Sequence, residues 1–165
     1  MFNLDDMQTL VDKINKQGDG DNCGDTFRAI RGELFPNSQF KQKTIKMWNG
    51  MEEDFSEEEY DIDLIIEIIS DNLANVGMCG IVLFVGQSDH IFFLMRIDGQ
   101  VYRVESYMFE YQARIVEFSD WEVSIRGLLI DRDESECLWN KTFGVSEQYQ
   151  WGSDAIDIKT YRRLT

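Results

Sequence analysis

The chain opens with apolar residues at helical intervals. In "NLDDMQTLVDKINKQ", Leu4, Met7, Leu10, Val11 and Ile14 recur every three or four positions, which predicts an amphipathic helix capped by Asn3 or Asp5. Gly18 and Gly20 end it. A second helix is predicted from Asn22 or Cys23, with Phe27, Ile30, Leu34 and Phe35 on one face. Pro36 closes it, because proline has no amide to continue the ladder. "SQFKQKTIKMW" reads as a short basic helix, and "EEEYDIDLIIEIISDNLANVG" as a longer acidic one stopped by Gly77.

The period then changes from helical to alternating. "CGIVLFVG", "HIFFLMRI", "QVYRVESY" and "YQARIVEFS" are rich in β-branched and aromatic residues and predict four strands. Asp98-Gly99, between the second and third, is a strong hairpin signal. "DWEVSIRGLLID" predicts a helix capped by Asp120, "ECLWNKTFG" is ambiguous, and "DAIDIKTYRRL" suits a closing strand. The expected class is α+β, with N-terminal helices packed on a mostly antiparallel sheet in a single domain, residues 1–165.

Composition narrows the function. Hydrophobic residues make up 43% and aromatics 13%, enough for a buried core and too much for a disordered chain. The formal net charge of −15 argues against nucleic acid as a partner and favours basic ones. No apolar run approaches the ~18 residues of a membrane span, so no membrane role is expected. The start of the chain shows no secretory signal. Cys23, Cys79 and Cys137 leave one thiol over and form no C-x-x-C pair, against a disulfide scaffold or a cysteine zinc site. A reducing, cytoplasmic setting with no cofactor and no metal is the expectation. Trp48, Trp121, Trp139 and Trp151 read as core or rim, Cys79 as packing, and "EEDFSEEEYDID" as a solvated helix entrance.

"KQGDGDNCGDTFRAI" carries the candidate chemistry. As a calcium loop it offers Asp19, Asp21 and Asp25, but Cys23 occupies the fifth position and Ile30 stands where a bidentate glutamate is needed. As the seat of a nucleophile it places Cys23 in the first turn of a helix, where the dipole favours thiolate. The neighbouring aspartates oppose that effect. A thiol hydrolase also needs a base, and His90 is the sole histidine. With Asp98 and Gly99 as the turn, Ile97 pairs with Gln100, His90 comes opposite Tyr107, and Phe92 opposite Glu105. Glu105 is then a diagonal neighbour of His90, able to orient its ring. The opposite face, with Ile91, Phe93, Met95, Tyr102 and Val104, reads as core, which predicts a more polar face for the site.

These residues resemble the papain-like cysteine peptidases: a cysteine opening a helix, a histidine heading a strand and an acidic residue on the next. The spacing of His90 and Glu105 is similar to that of the ubiquitin-hydrolase and Josephin branches, and "DGDNCGDTFRAI" resembles the ovarian-tumour-type deubiquitinase motif. The resemblance implies a papain-like fold and a thiol protease, a hydrolase of peptide or isopeptide bonds that is deubiquitinase-like. Cys23 would be its nucleophile, His90 its base, Glu105 the orienting residue and Gln17, six residues ahead of Cys23, an oxyanion donor. It also implies a protein or peptide substrate, ubiquitin-like proteins among them. Glu105 stands where that family usually has aspartate or asparagine. The contrasting expectation, from charge alone, is a non-catalytic acidic binding protein, of inhibitor or immunity type, that neutralises a basic partner.

Overall fold

Two hydrophobic layers, one on each side of an antiparallel sheet, hold nearly all of the buried apolar side chains. The computed structural model describes residues 2–36, 46–49, 62–75, 78–85, 88–130, 135–145 and 154–160. In chain order the elements are α1 (Leu4–Lys16), α2 (Cys23–Leu34), β1 (Lys46–Asn49), α3 (Ile62–Asn75), β2 (Met78–Val85), β3 (Ser88–Ile97), β4 (Gln100–Tyr107), β5 (Tyr111–Glu117), α4 (Trp121–Ile130), α5 (Ser135–Phe143) and β6 (Asp154–Thr160). The sheet runs β1-β6-β2-β3-β4-β5, with every neighbouring pair antiparallel. The class is α+β, as the change of period predicts.

Local chemistry explains the elements that position the site. Asn3 caps α1 in a reciprocal box: its side chain accepts from the Asp6 N–H, and the Asp6 carboxylate accepts from the Asn3 N–H. Gly18, at φ +81°, takes the left-handed conformation that ends the helix. Asn22 then caps α2 by accepting from the Asp25 N–H at 2.8 Å. The β3–β4 hairpin turns through Asp98 and Gly99, at φ 51° and 79°. Two positive angles in succession are what a two-residue turn between right-twisted strands requires.

The first layer joins Met7, Leu10, Val11 and Ile14 of α1 and Phe27 and Ile30 of α2 to Met78, Phe93, Met95 and Val104 of the sheet. Phe27 lies flat on Phe93, ring centres 4.0 Å apart. The second layer, on the other face, joins α3, α4 and α5 to Cys79, Ile81, Leu83, Phe92 and Leu94. Trp121 and Trp139 are buried there, as expected of core tryptophans. Cys79 is also sealed in, and burial pushes its thiol up to about 12.

Two expectations are corrected. Lys46–Asn49 is strand β1, paired with β6, and not the end of a basic helix. Lys46 and Trp48 alternate with Met47 and Asn49, and pairing with a strand more than a hundred residues away outweighs their helical look. Residues 38–45 of that expected helix, and residues 52–61 of the acidic entrance, lie outside the described residues, as do Trp151 and the side chains of Trp48 and Cys137. The second correction concerns polarity. The face of β3 and β4 that carries His90 and Glu105 is not a polar, open one but lies under the second layer, with His90 0% and Glu105 1% exposed.

Candidate active site

The recorded β3–β4 ladder runs from Ile97↔Gln100 to Phe93↔Val104. Beyond it, the N-terminal end of α2 meets both strands. Thr26 shares a buried 2.8 Å hydrogen bond with Ser106 of β4, and Cys23 accepts from the backbone N–H of Ile91 in β3. A helix that packs on one face of the sheet thereby delivers its first residue to a histidine whose ring lies on the other.

A bulge fixes the loop ahead of Cys23. Between the pairs Glu105↔Arg114 and Tyr107↔Tyr111, two residues of β5, Gln112 and Ala113, face one of β4, Ser106. The Ala113 N–H is thereby free to turn to the loop, where it donates to the Gly20 carbonyl at 3.0 Å and to Asn15 Oδ1 at 3.1 Å. The Ala113 carbonyl accepts from Asn15 Nδ2 at 2.9 Å. Gly20 is required at this junction, since a Cβ there would lie 1.9 Å from Asn15 Oδ1.

His90 bonds to Glu105 through Nε2. The other carboxylate oxygen, Oε1, accepts from Arg103 Nε and from the Tyr111 hydroxyl at 3.0 Å. Arg103 also donates to the Thr142 carbonyl at 2.9 Å, and its guanidinium stacks over Phe118, 4.6 Å from the ring centre. Phe143 and Tyr107 press on the imidazole with ring centres at 4.6 and 4.8 Å. Tyr107 is itself held by Trp139 Nε1, which donates to its hydroxyl at 3.1 Å. The remaining imidazole nitrogen, Nδ1, completes no hydrogen bond, while the ring is electrostatically coupled to the Cys23 thiol. Catalytic pairs are often loosely aligned before substrate binds.

The electrostatics follow from this order. Burial opposes a charged His90, but the Glu105 carboxylate and Cys23 outweigh it and raise its pKa above the ordinary value. Burial likewise opposes thiolate at Cys23, yet the neighbouring His90 ring, with the charge it can carry, and the Ile91 N–H bring the thiol below its usual range. The carboxylate that pushes Cys23 the other way is Asp89, next to His90, rather than the aspartates of its own loop. Asp25 is engaged with Asn22 and Arg28 instead. At Glu105 burial is overcome by His90 and then by Arg103, so the carboxyl is held below its ordinary value. Burial first, and then the Glu105 charge, push the Tyr111 hydroxyl well up, so that it stays a donor.

Of the four residues predicted from sequence, the structure brings Cys23, His90 and Glu105 together and leaves Gln17 apart. Gln17 is the exposed C-cap of α1, and its side chain makes no hydrogen bond to the other three. Asn22 is occupied by its cap and by donation to Asp25. The Cys23 N–H, at the first helical position, makes no hydrogen bond among the described residues. Arg103 and Tyr111 went unpredicted. Arg103 lies two positions from Glu105 on one face of β4 and was detectable from alternation, whereas Tyr111 reaches the carboxylate across a bulge that no sequence pattern announces. No group of three histidine, cysteine, aspartate or glutamate side chains able to hold a metal occurs among the described residues, and no described helix is long and apolar enough to cross a membrane. Comparison with protein-family models, with curated proteins and with solved structures finds no match.

Proposed function

We propose that this protein is a thiol hydrolase of papain-like type, acting on peptide or isopeptide bonds. The observation that carries the reading is one chain of contacts, from the Cys23 thiol to the His90 ring to the Glu105 carboxylate, with the thiol lowered and the imidazole raised. Both shifts move the pair toward thiolate and imidazolium.

The chemistry follows from the roles. The Cys23 thiolate attacks the carbonyl carbon, and the carbonyl oxygen takes the electron pair. The Cys23 N–H is the oxyanion donor the site offers. Protonated His90 passes its proton to the leaving amine as the C–N bond breaks, leaving a thioester on Cys23. Neutral His90 then removes a proton from water as the water attacks the thioester, and returns it to the departing thiolate. Glu105 holds the ring and offsets its charge throughout. An amine in place of water would make the same site a transferase, and a side-chain amide as substrate would make it a deamidase. Gln17 belongs to the scheme as a second oxyanion donor only if its side chain swings to the site; Gln17→Ala lowers turnover about 10²-fold in that case. Ubiquitin-like proteins enter as the substrate through the family resemblance.

Alkylation tests the reading. Iodoacetamide followed by peptide mass mapping should modify Cys23 well before Cys79 and Cys137, and His90→Ala should remove the preference. Cys23 reacting no faster than Cys137 would overturn it. The net charge of −15 favours a second reading, an acidic non-catalytic protein that captures a basic partner. That reading predicts an unreactive Cys23, and binding to a basic protein that weakens steeply with salt.

A further inference from the structure

The turn joining β4 to β5 is built against the economy of folding. Phe109 is 89% exposed and Met108 54% exposed, so the tip presents two large apolar side chains to solvent. Phe109 also sits at φ +69°, a left-handed conformation that suits glycine and strains a bulky residue. Neither the exposure nor the backbone angle contributes to either core. Strained backbone angles of this kind cluster at active sites and ligand clamps.

What the tip borders is a groove of about 510 Å³ lined by Asp21, Asn22, Met108, Phe109, Glu110 and Tyr111, with Gln112 completing it. It opens beside Asn22, the residue next to Cys23, and Gln112 ties its acidic side to the turn by donating to Asp21 at 3.4 Å. Among the described residues its lining includes the Asp21 carboxylate and no lysine or arginine. The groove therefore adjoins the start of the helix that carries Cys23.

We infer that this groove is a specificity site for the substrate chain, taking a large apolar side chain against Met108 and Phe109 and a lysine or arginine opposite Asp21. The inference rests on the thiol-hydrolase reading for its position next to the reaction, and on the groove's own lining for the chemistry it selects. Apolar area supplies affinity, and the Asp21 carboxylate discriminates against acidic sequences by repulsion as well as favouring basic ones.

The test uses the full chain carrying Cys23→Ala, so that no peptide is consumed, and two fluorescein-labelled hexapeptides that differ at one position. One has phenylalanine next to lysine, and the other has glutamate in place of the lysine. Fluorescence anisotropy should show the lysine peptide binding about tenfold or more tightly than the glutamate peptide, a gap that narrows with salt. Asp21→Lys should close or reverse the gap. Phe109→Gly should weaken the lysine peptide about tenfold while the melting temperature holds or rises, since glycine relieves the backbone angle. A merely structural Phe109 would do the opposite. Equal affinity for the two peptides, or Phe109→Gly binding unchanged, overturns the inference. Alkylation of Cys23 by iodoacetamide in the unsubstituted chain decides the other reading separately. Peptide discrimination without alkylation keeps the groove and removes the nucleophile; alkylation without discrimination does the reverse.

Discussion

The two faces of the sheet solve burial in opposite ways. Under α1 and α2 the contacts are nearly all apolar, Phe27 on Phe93 and Met7, Ile14 and Ile30 around them, with one hydroxyl pair, Thr26 and Ser106. Under α3, α4 and α5 the same strands bury an imidazole, a guanidinium and a carboxylate among aromatic rings. The apolar face depends on area and shape, which tolerate small changes. The charged face depends on each group having its partner, because an ion stranded in such a site costs far more than a missing methylene. Stability on one face is spread over many contacts; on the other it is concentrated in Glu105, which joins His90, Arg103 and Tyr111.

The largest expected effect breaks that concentration. Glu105→Gln removes the charge facing buried Arg103 and should lower stability by about 3–5 kcal/mol in urea denaturation. Ile30→Val on the other face should cost only about 0.5–1.5 kcal/mol and leave Cys23 alkylation intact. Equal costs would erase the contrast between the faces.

The pH dependence sharpens it. Glu105 is held below its ordinary value, so its contribution is present above about pH 4.3 and is lost as pH falls through the lower folded value. His90 is raised, so its contribution is complete below about pH 6.5 and fades as pH rises through the higher folded value. For Cys23, the alkylation rate should rise with an acid-limb midpoint below the ~8.5 of a free thiol. Glu105→Gln should move that midpoint back up, because a less basic His90 supports thiolate less. A midpoint at or above 8.5 in the unsubstituted chain would remove the coupling.

Smaller effects grade the network. Tyr111→Phe deletes one donor to Glu105 and should cost about 1–2 kcal/mol, with a modest fall in reactivity, read by melting temperature and alkylation rate together. Asp98→Asn, at the far end of the same hairpin, should change neither by a measurable amount, since asparagine also accepts the left-handed angle. A large loss there would mean the turn reaches the site.

Where the sequence was readable, the signal was local. Asn3, Pro36 and Asp98-Gly99 mark ends and turns by their own chemistry, and α1, α2 and β2 to β5 follow from them. The meeting of His90 with Glu105 was readable because a two-residue turn propagates register along both strands. The polarity of their face was misread because charged residues were expected to seek water, whereas His90, Glu105 and Arg103 satisfy one another in the interior. β1 was missed because its pairing with β6 is set from far along the chain, and Gln17 was expected at the site from a count of residues to Cys23, which carries no direction for a side chain at a helix end.

The placement of β6 also bears on how the chain assembles during synthesis. Although it is the latest of the described strands along the chain, it occupies an interior position between β1 and β2. The helices α1 and α2 and the strands that carry His90 and Glu105 leave the ribosome earlier, so the parts of the site exist while one side of β2 still lacks its neighbour. An unpaired edge with the sequence "MCGIVLFV" is a template for intermolecular pairing. A nascent chain paused before residue 154 therefore combines the segments that carry Cys23, His90 and Glu105 with an aggregation-prone border, and the arrival of Asp154–Thr160 is the step that closes it.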